Sequence, residues 1–339
     1  MSSILNIRRL LTLLVSLLIT AIFLVLALYR VDFNQFAQAF VSADYRLILL
    51  AGLSWLTAYG FRTIRWQVFL APTKKIPVAR LFSPLIIGFA LNNLLPGRPG
   101  EFARAFLIGS REGISKTLSL ATVVVERVMD GLAVIFFLLL SISSILTLHL
   151  NLPSGVQTIA IASIALFGVA LAGMVFLLVR EDMALRLIKL VTRFLPARIA
   201  GQIEKMLSAF TLGLHSLKSA HDVLTIILCT FSVWALDSLA YFLILTAFGA
   251  LPDVPMRAAA SVTMTSIINL GIMIPAAPGG LGPYEAAGVF ALAIFGVNES
   301  LAASVALAAH AIQYVLITGL GVFFIWRQGV SLAQASKAE

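Results

Sequence analysis

The chain has 339 residues, of which 60% are hydrophobic and only 12% are charged, and its mean hydropathy is +1.02. This composition excludes a soluble domain, because several apolar runs reach the ~20 residues that a bilayer-spanning helix needs. The net charge of +9 does not indicate nucleic-acid binding, because the basic excess lies in loops, where it fixes membrane orientation. The single cysteine, Cys229, excludes an intrachain disulfide and makes a poor metal site.

Apolar runs predict about six full membrane spans, at 10–29, 46–70, 118–147, 156–179, 222–248 and 301–326. Between the first two, residues 31–44 predict a short amphipathic helix at the membrane surface. Arg62 and Arg65 lie near the end of the second span, and we interpret them as snorkelling to the inner surface. The distribution of basic loops predicts a protein of the cytoplasmic (inner) membrane with both termini in the cytoplasm.

Two further apolar runs are too short or too interrupted to cross the bilayer. Residues 81–112 and 257–296 each contain an apolar arm, a Pro/Gly break and a short second arm, which predicts two re-entrant helical hairpins. Between the two halves, residues 180–221 are basic with apolar residues at helix-like intervals, which predicts an amphipathic cytoplasmic segment. The predicted fold is therefore an all-α polytopic membrane protein that forms a single domain.

The two breaks are similar in sequence. Residues 96–101 read Pro-Gly-Arg-Pro-Gly-Glu and residues 278–285 read Pro-Gly-Gly-Leu-Gly-Pro-Tyr-Glu, and the opening prolines are separated by 182 positions, about half the chain. In the predicted topology one hairpin opens inward and the other outward. We therefore predict inverted-topology repeats, at about 46–179 and 222–326, with a transport site where the repeats meet.

Ionisable side chains inside these apolar segments predict the site. Each costs at least ~2.5–3.5 kcal/mol at the bilayer centre, so it marks a functional or paired position. Helices that begin after the breaks would point N–H groups at an anion, and Arg98 and Arg104 would add charge-assisted bonds to phosphate. The predicted substrate-binding residues are Asn93, Arg98, Glu101, Arg104, Glu126, Arg127, Asp130, Asp237, Asn269, Gly279, Gly280, Gly282 and Glu285.

The charged residues and the asparagines of this set have structural alternatives. The charged side chains could form a buried ion-pair network that holds the broken helices together. Glu285 could cap a helix N-terminus, and Asn93 and Asn269 could satisfy interrupted backbone. His310 on the last span is interpreted as a hydrogen-bonded packing residue rather than a proton relay.

In combination these motifs resemble the flippase-like membrane domain of lysylphosphatidylglycerol synthases. The resemblance covers roughly residues 10–326. It is carried by Asn93 to Glu101 with Arg104, by Glu126-Arg127 with Asp130, and by Pro278 to Gly282 with Glu285. It implies a domain that flips an aminoacylated lipid, which a separate soluble domain makes from aminoacyl-tRNA in the full-length synthases. Because the chain ends at residue 339, we expect a stand-alone member, to which neither lysyl transfer nor the lipid identity carries over.

The leading hypothesis is a lipid flippase that moves a polar or charged headgroup across the membrane. Its partners would be membrane lipids, a phospholipid or a lipid-linked intermediate, and a homo-oligomer is left open. The alternatives are a secondary transporter of a small anion, an integral membrane enzyme acting on a lipid phosphate, and a regulatory partner of lipid enzymes. No Walker A loop, metal cluster or nucleophile elbow is found, so we predict no enzyme activity, cofactor or metal.

Overall fold

The computed structural model describes residues 2–180, 183, 201, 219–274 and 277–328. These residues form eleven α-helices and one 3₁₀ turn, with no β-strand among them. In chain order they are α1 (Ser2–Leu28), α2 (Phe33–Ser42), α3 (Tyr45–Leu70), α4 (Val78–Leu94), α5 (Gly100–Glu112), α6 (Lys116–Thr147), α7 (Ser154–Val179), α8 (Ala220–Ala247), α9 (Val254–Gly271), the 3₁₀ turn Pro278–Gly280, α10 (Pro283–Ala293) and α11 (Glu299–Gln328). Almost all of the predicted amphipathic segment 180–221 lies outside the described residues.

The predicted spans correspond to observed helices. Among the described residues, α3, α6, α7, α8 and α11 are long and apolar enough to cross a membrane. A sixth crossing results if Leu14–Leu28 and α2, which meet at a bend of 81°, count as one span. The bend follows from the local sequence, because the Asp32 carboxylate accepts hydrogen bonds from the amides of Asn34 and Gln35 and so starts a new helix. The all-α multi-pass architecture is thus confirmed.

Both predicted hairpin regions consist of paired helices joined at the Pro/Gly breaks. Helix α4 packs against α5, and α9 packs against α10. At 1.5 Å per residue, α5 and α10 are only about 20 and 17 Å long, which is well short of the ~30 Å hydrocarbon core. That each pair turns back inside the membrane stays a prediction.

The two halves of the chain exchange equivalent contacts. Helix α3 packs along α8, α4 packs on α11, and α9 packs on α6. The first helix of each hairpin therefore packs on the long helix that follows the other hairpin. At the α3–α8 contact the Ser54 hydroxyl donates to the carbonyl of Leu236 at 2.7 Å, and these residues are 182 positions apart. The same interval separates the two breaks, as expected if equivalent positions meet near a shared axis. The inverted sense of the repeats stays a prediction.

A pair of glycines on α11 tests the contact with α4. A Cβ built on Gly321 would lie 2.1 Å from the Cβ of Ala90, whereas one built on Gly319 would have nothing within 4 Å. We expect Gly321→Ala to cost about 1–3 kcal/mol through overpacking. Gly319→Ala should be neutral or slightly stabilising, because alanine favours helix over glycine. Thermal unfolding of the purified protein in detergent measures both, and equal midpoints for the two variants would contradict this packing.

Candidate functional site

The two Pro/Gly breaks meet at one cavity of about 420 Å³. Its wall includes residues 95–98 of the first break and 277–280 of the second, together with side chains of α3, α4, α6, α8, α9 and α11. Eight of the thirteen predicted site residues line it: Asn93, Arg98, Glu101, Arg127, Asp237, Asn269, Gly279 and Gly280. The remaining five, Arg104, Glu126, Asp130, Gly282 and Glu285, lie outside the lining.

The first break is closed by a side-chain bond and by a close backbone approach. The Asn92 side-chain oxygen accepts from the amide of Gly100 at 2.7 Å, which satisfies a free N–H at the start of α5. Gly100 passes so near α4 that a Cβ on it would lie 1.7 Å from the carbonyl oxygen of Gly88. Asn93 turns elsewhere and donates to Thr318 of α11 at 3.1 Å.

Arg98 connects the two breaks. It has a φ of 53°, in the left-handed region that a non-glycine residue rarely adopts. Its guanidinium donates to the carbonyl of Ile272, just beyond the end of α9. The first break therefore contacts the end of α9, which leads into the second break, through the cationic side chain that also lines the cavity.

The second break is held by α1. Gly279, Gly280 and Gly282 all have positive φ, at 76°, 76° and 91°, so the turn needs glycine at these positions. Thr20 of α1 donates its hydroxyl hydrogen to the carbonyl of Leu281 at 3.1 Å and accepts from the amide of Ala277 at 2.9 Å. The interrupted backbone is thereby satisfied by a helix from the opposite end of the chain.

Glu285 lies behind this turn and joins it to α11. One carboxylate oxygen accepts from the amide of Gly282 at 2.8 Å, and the other is 2.6 Å from Nδ1 of His310. The second ring nitrogen of His310 lies 3.0 Å from the carbonyl oxygen of Gly279. Both ring nitrogens of His310 thus lie within hydrogen-bond distance of an oxygen atom, one on Glu285 and one on Gly279. Glu285 is a helix cap here, and His310 both reaches the cavity and fixes its glycine turn.

Beneath the cavity, α3 and α6 are joined by buried ion pairs. Arg65 of α3 lies 2.7 Å from Asp130 and 3.5 Å from Glu126, and its side chain is 0% exposed. Arg62, one helical turn earlier, lies 3.0 Å from Asp237 of α8 and 3.8 Å from Asp130. The acids of α6 therefore face the arginines of α3.

The remaining members extend this network to α5 and to the cavity. Arg104 of α5 is 3.1 Å from Glu126. Arg127 is 2.6 Å from Glu126 and 3.2 Å from Asp130, and its Nε lies 3.7 Å from Glu101. Arg127 and Glu101 keep 37% and 30% of their side chains exposed, so they form the wet edge of an otherwise buried network.

Positive and negative charges are equal in number in the described ion-pair network, but not in the wall of the cavity. The ion pairs join four arginines and four carboxylates: Arg62, Arg65, Arg104 and Arg127 with Glu101, Glu126, Asp130 and Asp237. The described lining contains three arginines and two carboxylates. The surplus arginine is Arg98, for which no acid lies within ion-pair distance in the described part of the chain. A surplus of one positive charge favours an anionic ligand.

The sequence interpretation of α3 was wrong in one respect. Arg62 and Arg65 do not snorkel to the surface, because the carboxylates of Asp130 and Asp237 hold them inside the helix bundle. Arg104 is 2% exposed, so it supports the site from below and does not reach the cavity. The three-residue spacing of the α3 arginines and the four-residue spacing of the α6 acids were the available signal. Thr20 was not singled out, because it is one of three polar residues, with Thr12 and Ser16, in the apolar span 10–29.

The fold and the cavity together define a helical, multi-pass membrane protein with a polar, cation-rich chamber between two broken helix pairs. The family model described as the lysylphosphatidylglycerol synthase TM region matches residues 13–321. The chain therefore belongs to the lysylphosphatidylglycerol synthase transmembrane-region family.

Curated relatives match over most of the chain. A UPF0104 membrane protein of Methanothermobacter thermautotrophicus is 27% identical, over 89% of this chain and 91% of its own length. A UPF0104 membrane protein of Pyrococcus horikoshii is 26% identical, over 94% and 98%. Glycosyltransferase AglD of Haloferax volcanii is 24% identical, and the match covers 97% of this chain but only 56% of the length of AglD. No solved structure matches the chain.

Arg65 provides a test of the buried network. We expect Arg65→Leu to destabilise the fold by about 3–5 kcal/mol, because it removes the arginine 2.7 Å from Asp130 and leaves the buried network with one uncompensated negative charge. The matched control is Arg46→Leu, at an exposed position near the start of the same helix, which should change stability by less than about 0.5 kcal/mol. Unfolding midpoints in detergent measure both effects. An Arg65→Leu variant with an unchanged midpoint would show that the ion pairs of Arg65 do not stabilise the fold.

Proposed function

We propose that this protein translocates a phosphate-bearing lipid headgroup across the cytoplasmic membrane through the central cavity. The observation that carries the proposal is that both Pro/Gly breaks and the exposed edge of the ion-pair network line the same space. Interruptions that meet between two halves of a membrane protein are the arrangement expected of a transport site. The reciprocal packing of the two halves supports their interpretation as repeats.

Recognition of the headgroup would fall to side chains. One amide next to each break already has a side-chain partner, because Asn92 accepts from Gly100 and Glu285 accepts from Gly282. Arg98 and the exposed part of Arg127 remain as donors to an anion, and arginine suits phosphate because its fork binds two oxygens. In this proposal the two guanidinium groups are the main donors to the anion.

Translocation would proceed by alternating exposure of the two breaks. The headgroup would stay among polar side chains while its hydrocarbon chains remain in the bilayer, which lowers the large cost of taking a charge through hydrocarbon. The contact from Arg98 to the carbonyl of Ile272 closes the space between the breaks. Competition of a phosphate for Arg98 would release that contact and couple binding to opening.

A secondary transporter of a small anion is the second candidate, and the polar, positively charged lining favours it equally. We also propose that the chain itself is not an enzyme. The family is named after synthases, and one relative is named a glycosyltransferase. Those names support a function beside lipid-modifying enzymes, with membrane lipids as partners.

Arg98 is the residue that best tests the proposal. In proteoliposomes with fluorescently labelled phosphatidylglycerol, we expect Arg98→Gln to slow lipid movement at least tenfold, which corresponds to about 1.4 kcal/mol. Arg98→Lys should retain part of the rate, because it keeps the charge without the two-pronged geometry.

Arg46→Gln removes an exposed arginine remote from the cavity and should move lipid at the unmodified rate. Equal rates in all variants would exclude Arg98 from the pathway. Uptake of inorganic phosphate driven by a pH gradient, without lipid movement, would instead establish the second candidate.

Orientation in the membrane is tested by labelling single cysteines in a Cys229→Ala background. Thr73 lies in the basic loop between α3 and α4, and Asn151 lies in the uncharged loop between α6 and α7. Both positions are exposed. We expect an impermeant maleimide to label Asn151→Cys from outside the cell and Thr73→Cys only after permeabilisation, as positive-inside placement requires. The reverse pattern would overturn the proposed cytoplasmic termini.

A further inference from the structure

A second, apolar cavity of about 680 Å³ opens beside the polar one. It lies between α1, α7, α9 and α10, and seventeen of the described residues line it. Among these seventeen, only Ser163 of α7 has a polar side chain; the others are aliphatic, aromatic, glycine or proline. We call this space the apolar groove.

The apolar groove and the polar cavity are adjacent and share part of their wall. Met273 and Ile274, just after α9, line both spaces. The preceding residue, Ile272, supplies the carbonyl that accepts from Arg98. A molecule reaching from one space to the other would therefore pass the contact between the two breaks.

The groove is also accessible from the side. Among the described helices, α7 packs chiefly on α6, and the groove separates it from α1 and α10. Wall residues such as Leu26 and Leu166, each 59% exposed, would face the hydrocarbon of the bilayer. An occupant could thus enter laterally from the membrane without crossing a polar barrier.

We propose that the apolar groove holds one hydrocarbon chain of the lipid whose phosphate-bearing headgroup occupies the polar cavity. The inference rests on the proposed function and narrows its substrate to an amphiphile. A polar, cationic chamber joined to an apolar slot matches a molecule with an anionic head and an apolar tail. A soluble anion would use only the chamber and would leave the groove without a ligand.

Photo-crosslinking distinguishes a tail site from ordinary surrounding lipid. The protein is placed in phosphatidylcholine nanodiscs with phosphatidylglycerol that carries a diazirine on one acyl chain, or with diacylglycerol that carries the same chain. We expect the phosphatidylglycerol probe to label the α7 and α10 walls at least fivefold more than diacylglycerol. Arg98→Gln should reduce that labelling to the diacylglycerol level. Equal labelling by both probes, unaffected by Arg98→Gln, would overturn the inference, because surrounding lipid needs no headgroup contact.

Two neighbouring substitutions on α7 provide a matched pair. Ala162 lines the groove, whereas Ile161 does not line it and is 70% exposed. Ala162→Trp should fill the groove, abolish headgroup-dependent labelling and slow lipid movement at least fivefold. Ile161→Trp should leave both unchanged. Equal behaviour of the two variants would contradict a specific tail site.

The tail site and the proposed function can fail separately. Headgroup-dependent labelling by a protein that moves no lipid would preserve the tail site and overturn translocation. Lipid movement with unspecific labelling of the groove would preserve translocation and overturn the tail site.

Discussion

The structure depends on the pairing of charges that its apolar helices place away from water. Arg65, Glu126 and Asp130 could not remain ionised in such surroundings alone, because a buried charge is costly unless it is paired and hydrogen-bonded. Each has a partner on another helix, so the requirement for pairing fixes the relative positions of α3, α5, α6 and α8. The same contacts set Arg127 and Glu101 at the cavity wall.

A second constraint acts on the backbone. The Pro/Gly breaks leave amides and carbonyls unpaired where no water is guaranteed, and such groups must be satisfied by protein. Asn92 does this for the first break, and Thr20 and Glu285 do it for the second. Because these partners come from α4, α1 and α10, each break is anchored to different helices. A movement of one break relative to the other therefore need not disrupt the anchoring of either.

The parts of this arrangement that the sequence predicts are those encoded locally. Apolar run length located the spans, and two similar Pro/Gly motifs located the breaks, since both signals lie in contiguous residues. Partner choice is not local: an arginine near a helix end can snorkel or bind an acid, and Arg65 is decided by where α6 packs. His310 and Thr20 belong to the same class, because their partners lie 25 to 261 positions away.

The charges of the buried ion-pair network cancel, whereas the cavity wall has a surplus positive charge, and this difference determines which ligand the cavity can bind. If the arginines of the ion-pair network had no carboxylate partners, an anion would bind many donors and would be released slowly. Because these arginines are paired with carboxylates, they stabilise the fold, and only a few groups remain to recognise the ligand. Arg98 is such a group, and its present partner is a backbone carbonyl, which is neutral. A phosphate would form the stronger, charge-assisted bond. Binding would thus replace the contact of Arg98 with Ile272 by a contact of Arg98 with the ligand. Met273 and Ile274, which line both the polar cavity and the apolar groove, directly follow Ile272.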